Sequence, residues 1–366
     1  MSARPSKRPA ASAARALMGK LSGEYGDAGL YMPDEDVGLR PKVIPTSIDP
    51  IDVGTGVGGF PEGRVIVLHG PQSCGKTTAA GHLISNVQGM GGVAVYIDGE
   101  RKLDLPYMRK IGVDLDSLVV ARPRYIEEAF ALVQRTGTYI RKDKDDQNAP
   151  IVIIWDSIHS LPAKYTFEND FDKGSYSPEA AAYDRGFKKG VGIISDARIV
   201  LVFISQVRMS PDGFIVKEKV GIGKAVGHAA TMIIQFRQPK PIGKVGAGRE
   251  GNLVDFVIPK NQIARPWTTG QFPIMFGTGI DIPAAVLGAA KMVGLAHPEK
   301  GGWVTLDTPE GAVRVQGAAG LRKMQDEDAT AFAAFRRHIR DQLGRVELAH
   351  VEPEVIDTEA ALVEEA

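Results

Sequence analysis

The residues best suited to chemistry form a glycine-rich segment, Gly70-Pro71-Gln72-Ser73-Cys74-Gly75-Lys76-Thr77. The segment fits the pattern G-x-x-x-x-G-K-[ST], and it lies between an apolar run at 64–69 and a helical pattern at 77–88. In that context the glycines let backbone N–H groups converge on phosphates, and the helix start adds partial positive charge. We therefore expect Lys76 to reach the terminal phosphates of a nucleotide and the Thr77 hydroxyl to ligate Mg²⁺. The alternative is a glycine-rich turn without a ligand.

Cys74 lies inside this segment and is the only cysteine of the chain. A single cysteine excludes an intramolecular disulfide and an all-cysteine metal site. Two interpretations of Cys74 remain. The nearby positive partial charge could lower the pKa of its thiol, or the residue could serve as a small side chain in a tight loop.

Two acidic residues follow apolar runs in a way that suits the same nucleotide. Asp156 ends the run Ile-Val-Ile-Ile-Trp-Asp at 151–156 and is predicted to face Mg²⁺. Glu100 ends the run at 95–100. Because ligands of a doubly wound sheet lie beyond the carboxyl ends of its strands, Glu100 is the candidate for activating water at the terminal phosphate. The alternative for Glu100 is an acid that caps a helix.

The elements that must position these residues alternate along the chain. Apolar runs typical of buried strands occur at 64–69, 93–98, 151–156, 199–206, 232–237 and 254–259. Helical spacing occurs at 77–88, 125–141 and 178–195. This alternation predicts an α/β fold with a doubly wound, mostly parallel sheet.

The ends of the chain differ from this core. A short helix is predicted at 10–23, and a Pro/Gly/Asp-rich linker follows it. From about 282 we expect a smaller α/β unit with helices at 283–293 and 328–343 and a strand pair around 303–315. The predicted domains are 1–45 (helix and linker), 46–280 (core), 281–345 (small C-terminal domain) and 346–366 (acidic, disordered tail).

The charge of the 366 residues is balanced but unevenly placed, with 44 basic and 44 acidic residues in all. Seven acids and no Lys or Arg lie from 346 to the end, which leaves 44 basic against 37 acidic residues before it. That body could bind a polyanion and be screened by the tail, or the tail could simply be solvated. No apolar run is long enough to span a bilayer. The Ala- and Arg-rich start resembles a transit peptide in composition but lacks the apolar run of a secretory signal, so a cytoplasmic location is the default expectation.

Several longer segments resemble the RecA family of strand-exchange recombinases, in its bacterial and phage branch. The similar segments cover nearly the whole chain, and they include 70–78 with Thr78, 96–100, 103–113, 155–158 and 203–209. The resemblance implies ATP and Mg²⁺ as ligands, with Lys76 and Glu100 catalytic and Asp104 and Tyr107 against the adenine. It also implies that Gln206 senses the γ-phosphate. At 259–262 the family usually carries two lysines that reach a neighbour's ATP, whereas this chain has Lys260 and then Gln262.

The same resemblance implies two DNA-binding loops. The second follows Gln206 and mixes basic with apolar residues, namely Arg208, Met209, Phe214, Ile215, Lys217, Lys219 and Lys224. Charges could hold phosphates while an apolar tip wedges between bases; alone, the pattern would suit a mobile surface loop. The first loop, at 166–177, matches poorly and is acidic. Lys188 and Lys189 on the helix after it are DNA-binding candidates or part of a solvated helix face.

These observations favour an ATP-dependent recombinase that polymerises on single-stranded DNA and exchanges strands with double-stranded DNA. ATP would be held between protomers of a helical filament, and no membrane is involved. One alternative is a motor or accessory ATPase of DNA repair or replication, such as a ring helicase. Another is a non-enzymatic protein that coats single strands, which the intact set of Lys76, Thr77, Glu100 and Asp156 disfavours.

Overall fold

The computed structural model describes residues 10–25, 42–143, 146–168, 177–206, 208–212, 215–219, 223–243 and 248–343. Contacts divide the chain into two units, 1–41 and 42–366. In the first unit the described element is a helix of 16 residues, α1, Ala10–Tyr25. The predicted helix at 10–23 is confirmed, and its apolar side chain Leu17 is 56% exposed.

The second unit contains all the described strands and the remaining helices. The strands are β1 Val43–Ile44, β2 Phe60–Pro61, β3 Val65–Gly70, β4 Val93–Asp98, β5 Leu118–Ala121, β6 Ile151–Asp156, β7 Ile199–Gln206, β8 Arg208–Asp212, β9 Ile215–Lys219, β10 Met232–Phe236, β11 Lys240–Ile242, β12 Gly251–Asn261, β13 Thr268–Met275, β14 Gly279–Ile280, β15 Ala296–Pro298, β16 Val304–Thr308 and β17 Gly311–Val315. The helices are α2 Asp49–Gly54, α3 Lys76–Gly89, α4 Leu105–Lys110, α5 Ile126–Lys142, α6 Lys164–Glu168, α7 Pro178–Asp196, α8 Lys224–Ala229, α9 Ile282–Met292, α10 Gly317–Glu327 and α11 Ala329–Asp341, with a 3₁₀ turn at Lys300–Gly302.

The main sheet has ten strands among the described residues, in the order β14-β13-β12-β10-β3-β7-β6-β4-β5, with β11 paired to β12. Six neighbouring strands of this sheet are parallel, in the spatial order β10, β3, β7, β6, β4 and β5. The strands β11, β12, β13 and β14 form antiparallel pairs, and β12 joins them to β10. The strands β3, β6 and β7 are buried almost throughout. Near-continuous burial is typical of parallel strands that are covered on both faces. The predicted doubly wound, mostly parallel sheet is confirmed.

Helices cover both faces of this sheet. Because consecutive residues of a strand point to opposite sides, each strand contributes side chains to both apolar layers. On one side, Ile66 and Leu68 of β3 pack in a cluster with Leu83 of α3. On the other side, Val65 and Val67 belong to a cluster that includes residues of α5 and α7. That second layer contains Trp155, whose ring centroid lies 5.1 Å from that of Phe203 and 5.3 Å from that of Phe130.

A smaller antiparallel sheet, β15-β16-β17, packs with α9, α10 and α11 around Leu306 and Phe335. The predicted C-terminal α/β unit is therefore present, with β15 as a strand that the sequence did not predict. Val53 of α2 belongs to the same apolar cluster, so the unit shares its core with the start of the large domain. The boundary at 281 stays a prediction, and the acidic tail at 346–366 lies outside the described residues.

An ion pair fixes α11 to α2. The guanidinium of Arg336 donates to both carboxylate oxygens of Asp49, from Nε at 3.0 and 3.1 Å and from Nη2 at 2.8 Å. Asp49 is 1% exposed. Burial of a carboxylate is tolerated only when it is paired and hydrogen-bonded, which this bidentate geometry achieves.

Several further elements were not predicted from the sequence. Among them are the strands β5 and β13 and the helices α2, α4 and α10. β5 is a four-residue strand at the sheet edge, and β13 contains Gly270 and Pro273, residues that are unusual inside strands. None of the helices in the described ranges combines the length and the apolar character needed to cross a membrane.

Candidate active site

The glycine-rich segment forms the connection from β3 to α3 and wraps the start of that helix. Gly70 and Gly75 have φ angles of 155° and 91°, and Ser73 adopts 57°. A Cβ atom on Gly75 would lie 2.2 Å from Cδ1 of Ile274, and one on Gly70 would lie 2.6 Å from the carbonyl oxygen of Phe236. Only glycine fits both the angles and the space here. The loop therefore has the tight geometry that a phosphate cradle requires.

Lys76 is the first residue of α3 and is buried. Its Nζ donates to the carbonyl oxygens of Gly70, at 2.8 Å, and of Pro71. Its ammonium thus lies within the loop, and its contact with the terminal phosphates of a nucleotide stays a prediction.

Cys74 is fully buried beside this ammonium, with Sγ 3.5 Å from Nζ of Lys76. Burial raises the pKa of the Cys74 thiol, and the opposing effect of Lys76 is smaller. The alternative of a thiol with a lowered pKa is wrong, and the interpretation as a small residue in a tight loop is favoured.

Thr77 and Asp156 come together at the ends of two elements. The Thr77 hydroxyl donates to Oδ2 of Asp156 at 3.2 Å, and the Tyr96 hydroxyl donates to the same oxygen at 2.6 Å. Burial raises the pKa of Asp156, while both hydrogen bonds act to lower it.

The pair of Thr77 and Asp156 fits Mg²⁺, because a hydroxyl and a carboxylate are the hard oxygen ligands this ion prefers. No group of three or more His, Cys, Asp or Glu side chains able to hold a metal occurs in the described part of the chain. Water and phosphate oxygens would therefore supply the remaining ligands of an ion held by this pair.

Glu100 and Gln206 meet beside the phosphate loop. Nε2 of Gln206 donates to Oε1 of Glu100 at 3.0 Å, and the Ser157 hydroxyl donates to the same oxygen at 2.7 Å. Nε2 of Gln72, from the phosphate loop, donates to Oε1 of Gln206 at 3.2 Å. The proposed sensor, the proposed base and the loop are thus joined by a chain of hydrogen bonds. The alternative of Glu100 as a helix-capping acid is not favoured, because Asp104 caps the next helix, α4.

These residues line an open cavity of about 490 Å³. Its lining comprises residues 72–78 with Glu100, Lys102, Tyr107, Asp156, Ile204, Gln206, Asn252 and residues 274–277. A second cavity of about 550 Å³ adjoins it and shares Gln72, Glu100, Lys102 and Gln206. The sequence missed Lys102, Asn252 and the segment that contains Phe276. No local pattern marks the last two, because they come from the antiparallel strands β12 and β13 and the turn after β13.

The family resemblance places Asp104 and Tyr107 against the adenine, and only Tyr107 lines the cavity. Tyr107 lines the cavity, and its hydroxyl lies 2.9 Å from that of Thr78. Asp104 is the N-cap of α4 and accepts a hydrogen bond from the backbone N–H of Tyr107 at 2.9 Å. It is not among the lining residues, so its contact with adenine stays a prediction.

Lys260 is not brought into this cavity. On β12, its Nζ donates to the carbonyl oxygens of Gly227 at 2.8 Å and His228 at 3.3 Å. Burial lowers the pKa of this ammonium. A contact between Lys260 and a nucleotide would therefore require the cavity of another copy, and it stays a prediction.

The DNA-binding candidates follow the end of β7. The strands β8 and β9 form an antiparallel hairpin whose register pairs Arg208 with Lys219 and Ser210 with Lys217. Met209 lies on β8, Ile215 begins β9 and Lys224 begins α8. Phe214 and residues 169–176 of the first loop lie outside the described residues.

The two lysines of α7 are exposed, as either interpretation of them requires. Nζ of Lys188 pairs with Oδ2 of Asp184 at 2.7 Å on the same helix. This pair favours the solvated helix face over a free DNA contact for Lys188, while the role of Lys189 stays a prediction.

A parallel sheet with helices on both faces, a phosphate loop at the end of β3 and an acid at the end of β6 define the class of P-loop nucleotide-binding proteins. The family model "RecA N-terminal domain" matches residues 13–281. The chain is 31% identical to Protein RecA of Arthrobacter sp. (strain FB24), over 94% of each chain. It is also 31% identical to Protein RecA of Thermotoga neapolitana, covering 92% of this chain and 95% of the relative. The chain belongs to the RecA family.

Proposed function

We propose that this chain is an ATP-dependent recombinase that assembles on single-stranded DNA, exchanges strands with a duplex, and hydrolyses ATP when DNA is bound. One observation carries the proposal. Gln206 is the last residue of β7, it donates to Glu100 in the cavity, and the chain leads from it directly into the β8–β9 hairpin. A ligand in the cavity and the conformation of the hairpin are therefore linked through one short segment.

The chemistry of ATP hydrolysis follows from the cavity residues. Lys76 and the backbone N–H groups of the loop bind the phosphates, and Glu100 orients a water molecule and takes its proton. The water oxygen bonds to the γ-phosphorus, the bond to the bridging oxygen breaks, and ADP leaves with that electron pair. Mg²⁺ held by Thr77 and Asp156 would neutralise phosphate charge.

Coupling to DNA follows from the competition for Gln206. In this structure its amide is already engaged by Gln72 and Glu100. A γ-phosphate offers strong acceptor oxygens at the same place, so ATP would reorganise these hydrogen bonds at the base of the hairpin. This is a transition of the order–disorder type, in which a bound phosphate fixes a loop.

Self-assembly is the second part of the proposal. The exposed side chain of Leu17 on α1 suits a contact with a neighbouring copy, and so does Lys260, which does not line the cavities of its own chain. We propose that α1 docks on one neighbour and that Lys260 reaches the nucleotide of another. The acidic tail would then screen the basic body.

The experiment is a titration of fluorescently labelled single-stranded DNA with the full chain, with and without a non-hydrolysable ATP analogue and Mg²⁺. We expect the analogue to raise the DNA affinity and to give open helical filaments in negative-stain micrographs. Lys76→Ala is the nucleotide-blind control, and its DNA affinity should not respond to the analogue. An analogue that leaves the affinity of the unaltered chain unchanged would refute the proposal, and closed rings would favour a motor ATPase instead.

A further inference from the structure

The turn after β4 carries a second charged side chain near Glu100, that of Lys102. The buried carboxylate of Asp98 fixes the backbone here, since its Oδ1 accepts from the Lys102 N–H at 3.0 Å. Its Oδ2 is held by Arg122, whose Nε lies at 3.1 Å. Arg101, the residue before Lys102, adopts a left-handed φ of 57°. A residue other than glycine keeps such an angle only where its surroundings impose it. The position of Lys102 is therefore set by the fold, while its side chain extends into solvent.

The Lys102 side chain is 79% exposed and lines both cavities. Its Nζ lies 3.6 Å from Oε2 of Glu100. Within the described part of the chain, the only other lysine or arginine that lines the cavity of about 490 Å³ is Lys76, whose ammonium donates to loop carbonyls. Lys102 is thus the exposed cation of this site.

A cation at this position would interact with the negative charge of a bound nucleotide. The phosphates of ATP are negatively charged, and Glu100 and Asp156 add two acidic groups beside them. During phosphoryl transfer the charge is spread over the oxygens of the terminal phosphate, and a fixed or mobile cation there stabilises the transition state. The ion pair of Lys102 with Glu100 is long, at 3.6 Å, and its lysine is exposed, so the pair is weak and little is lost when the ammonium moves from Glu100 to a phosphate.

We propose that Lys102 is a catalytic residue whose ammonium contacts the terminal phosphate of ATP in the cavity of its own chain. The proposal rests on the proposed function, because it requires ATP in this cavity. It implies that Lys102 favours ATP over ADP, since ADP lacks the phosphate it contacts. A lysine that only neutralised Glu100 would also favour ATP, because the carboxylate repels the terminal phosphate, but that preference would disappear once Glu100 is replaced.

The test compares Lys102→Met with Lys110→Met, a matched change at an exposed lysine of α4 that does not line either cavity. Affinities for ATP and ADP are measured by calorimetry with the full chain, and turnover is measured with single-stranded DNA. For Lys102→Met we expect the ratio of ATP to ADP affinity to fall roughly tenfold and turnover to fall on the order of 10²-fold. Lys110→Met should match the unaltered chain. Unchanged turnover and an unchanged affinity ratio in Lys102→Met would overturn the proposal.

A second comparison separates a phosphate contact from an effect through Glu100. In the Glu100→Gln background the ion pair is absent, so adding Lys102→Met should still lower the affinity ratio. If the ratio no longer changes, Lys102 acts only through Glu100 and the proposal is wrong. The proposed function fails separately, if the unaltered chain shows no DNA-stimulated turnover. The affinity ratio tests Lys102 even then, because it needs no hydrolysis.

Discussion

Replacing Asp52 by Asn should change how the stability of the chain depends on pH. Asp52 of α2 is fully buried, and its Oδ1 accepts hydrogen bonds from the backbone N–H and the hydroxyl of Thr46 at 2.8 and 2.7 Å. Its Oδ2 has no hydrogen-bond partner. Burial above all, and then the carboxylate of Asp49, raise the pKa of Asp52 to about 7 from an ordinary value of 3.8.

The sign of the effect follows from this raised pKa. The stabilising contribution of Asp52 is fully present below the unfolded pKa of 3.8, and it is lost as the pH rises towards the folded pKa of about 7. At about 1.4 kcal/mol per pKa unit, the loss between about pH 5 and about pH 8 is roughly 2–3 kcal/mol. His69 and His82 act in the opposite direction. Burial lowers the pKa of each from 6.5 to about 4, so their contribution is lost as the pH falls through this range.

Because these contributions overlap, the difference between Asp52→Asn and the unaltered chain is the quantity to measure. Urea unfolding at about pH 5 and about pH 8 gives the free energy of unfolding of each protein at each pH. The measurements use one protein concentration and no DNA or nucleotide. We expect Asp52→Asn to gain roughly 2–3 kcal/mol relative to the unaltered chain at the higher pH. Asp196→Asn, at an exposed position, is the control and should follow the unaltered chain. An Asp52→Asn difference that is the same at both pH values would refute the reasoning.

Three other perturbations test the site and the fold. Glu100→Gln should keep ATP binding and slow turnover on the order of 10²–10⁴-fold; unchanged single-turnover kinetics would move the base elsewhere. Arg336→Ala should cost about 3 kcal/mol of unfolding free energy, because it removes the bidentate partner of the buried Asp49 carboxylate and leaves it the more distant Arg340, at 3.8 Å. The double variant with Asp49→Ala should recover part of that loss in the same urea assay, and no recovery would contradict the pairing. Neutralising Lys217 and Lys219 together should reduce the slope of log affinity against log salt by roughly 0.7 for each lost phosphate contact. An unaltered slope would place the DNA on another surface.

Much of the candidate active site was predictable because its parts lie at the ends of neighbouring parallel strands. Gly70, Asp156 and Gln206 end β3, β6 and β7, and Glu100 follows β4 by two residues. These four strands are adjacent in the sheet. Carboxyl ends of parallel strands share one edge, so residues that follow separate apolar runs were expected to meet.

The presence of Lys102 and Phe276 in the cavity could not be predicted from the ends of apolar runs. Lys102 has the sequence context of an ordinary surface lysine, and only its distance from Glu100 and its place on both cavities set it apart. Phe276 follows β13, a strand whose Gly270 and Pro273 hide it from a pattern based on apolar runs. The burial of Asp52 was equally hidden, because it lies in a Pro/Gly/Asp-rich stretch at 26–53 that predicts little regular structure.

The amino-acid sequence by itself determined the phosphate loop, the buried parallel strands and the family. Each of these depends on short-range patterns, such as glycine spacing, alternating apolar runs and an acid at a strand end. Only the tertiary structure decided which distant side chains share the cavity, and that Asp49, Asp52 and Arg336 meet beneath α11. The physical reason is that apolar periodicity specifies which face of an element is buried. It leaves open which other element covers that face, and side-chain contacts between distant segments depend on that choice.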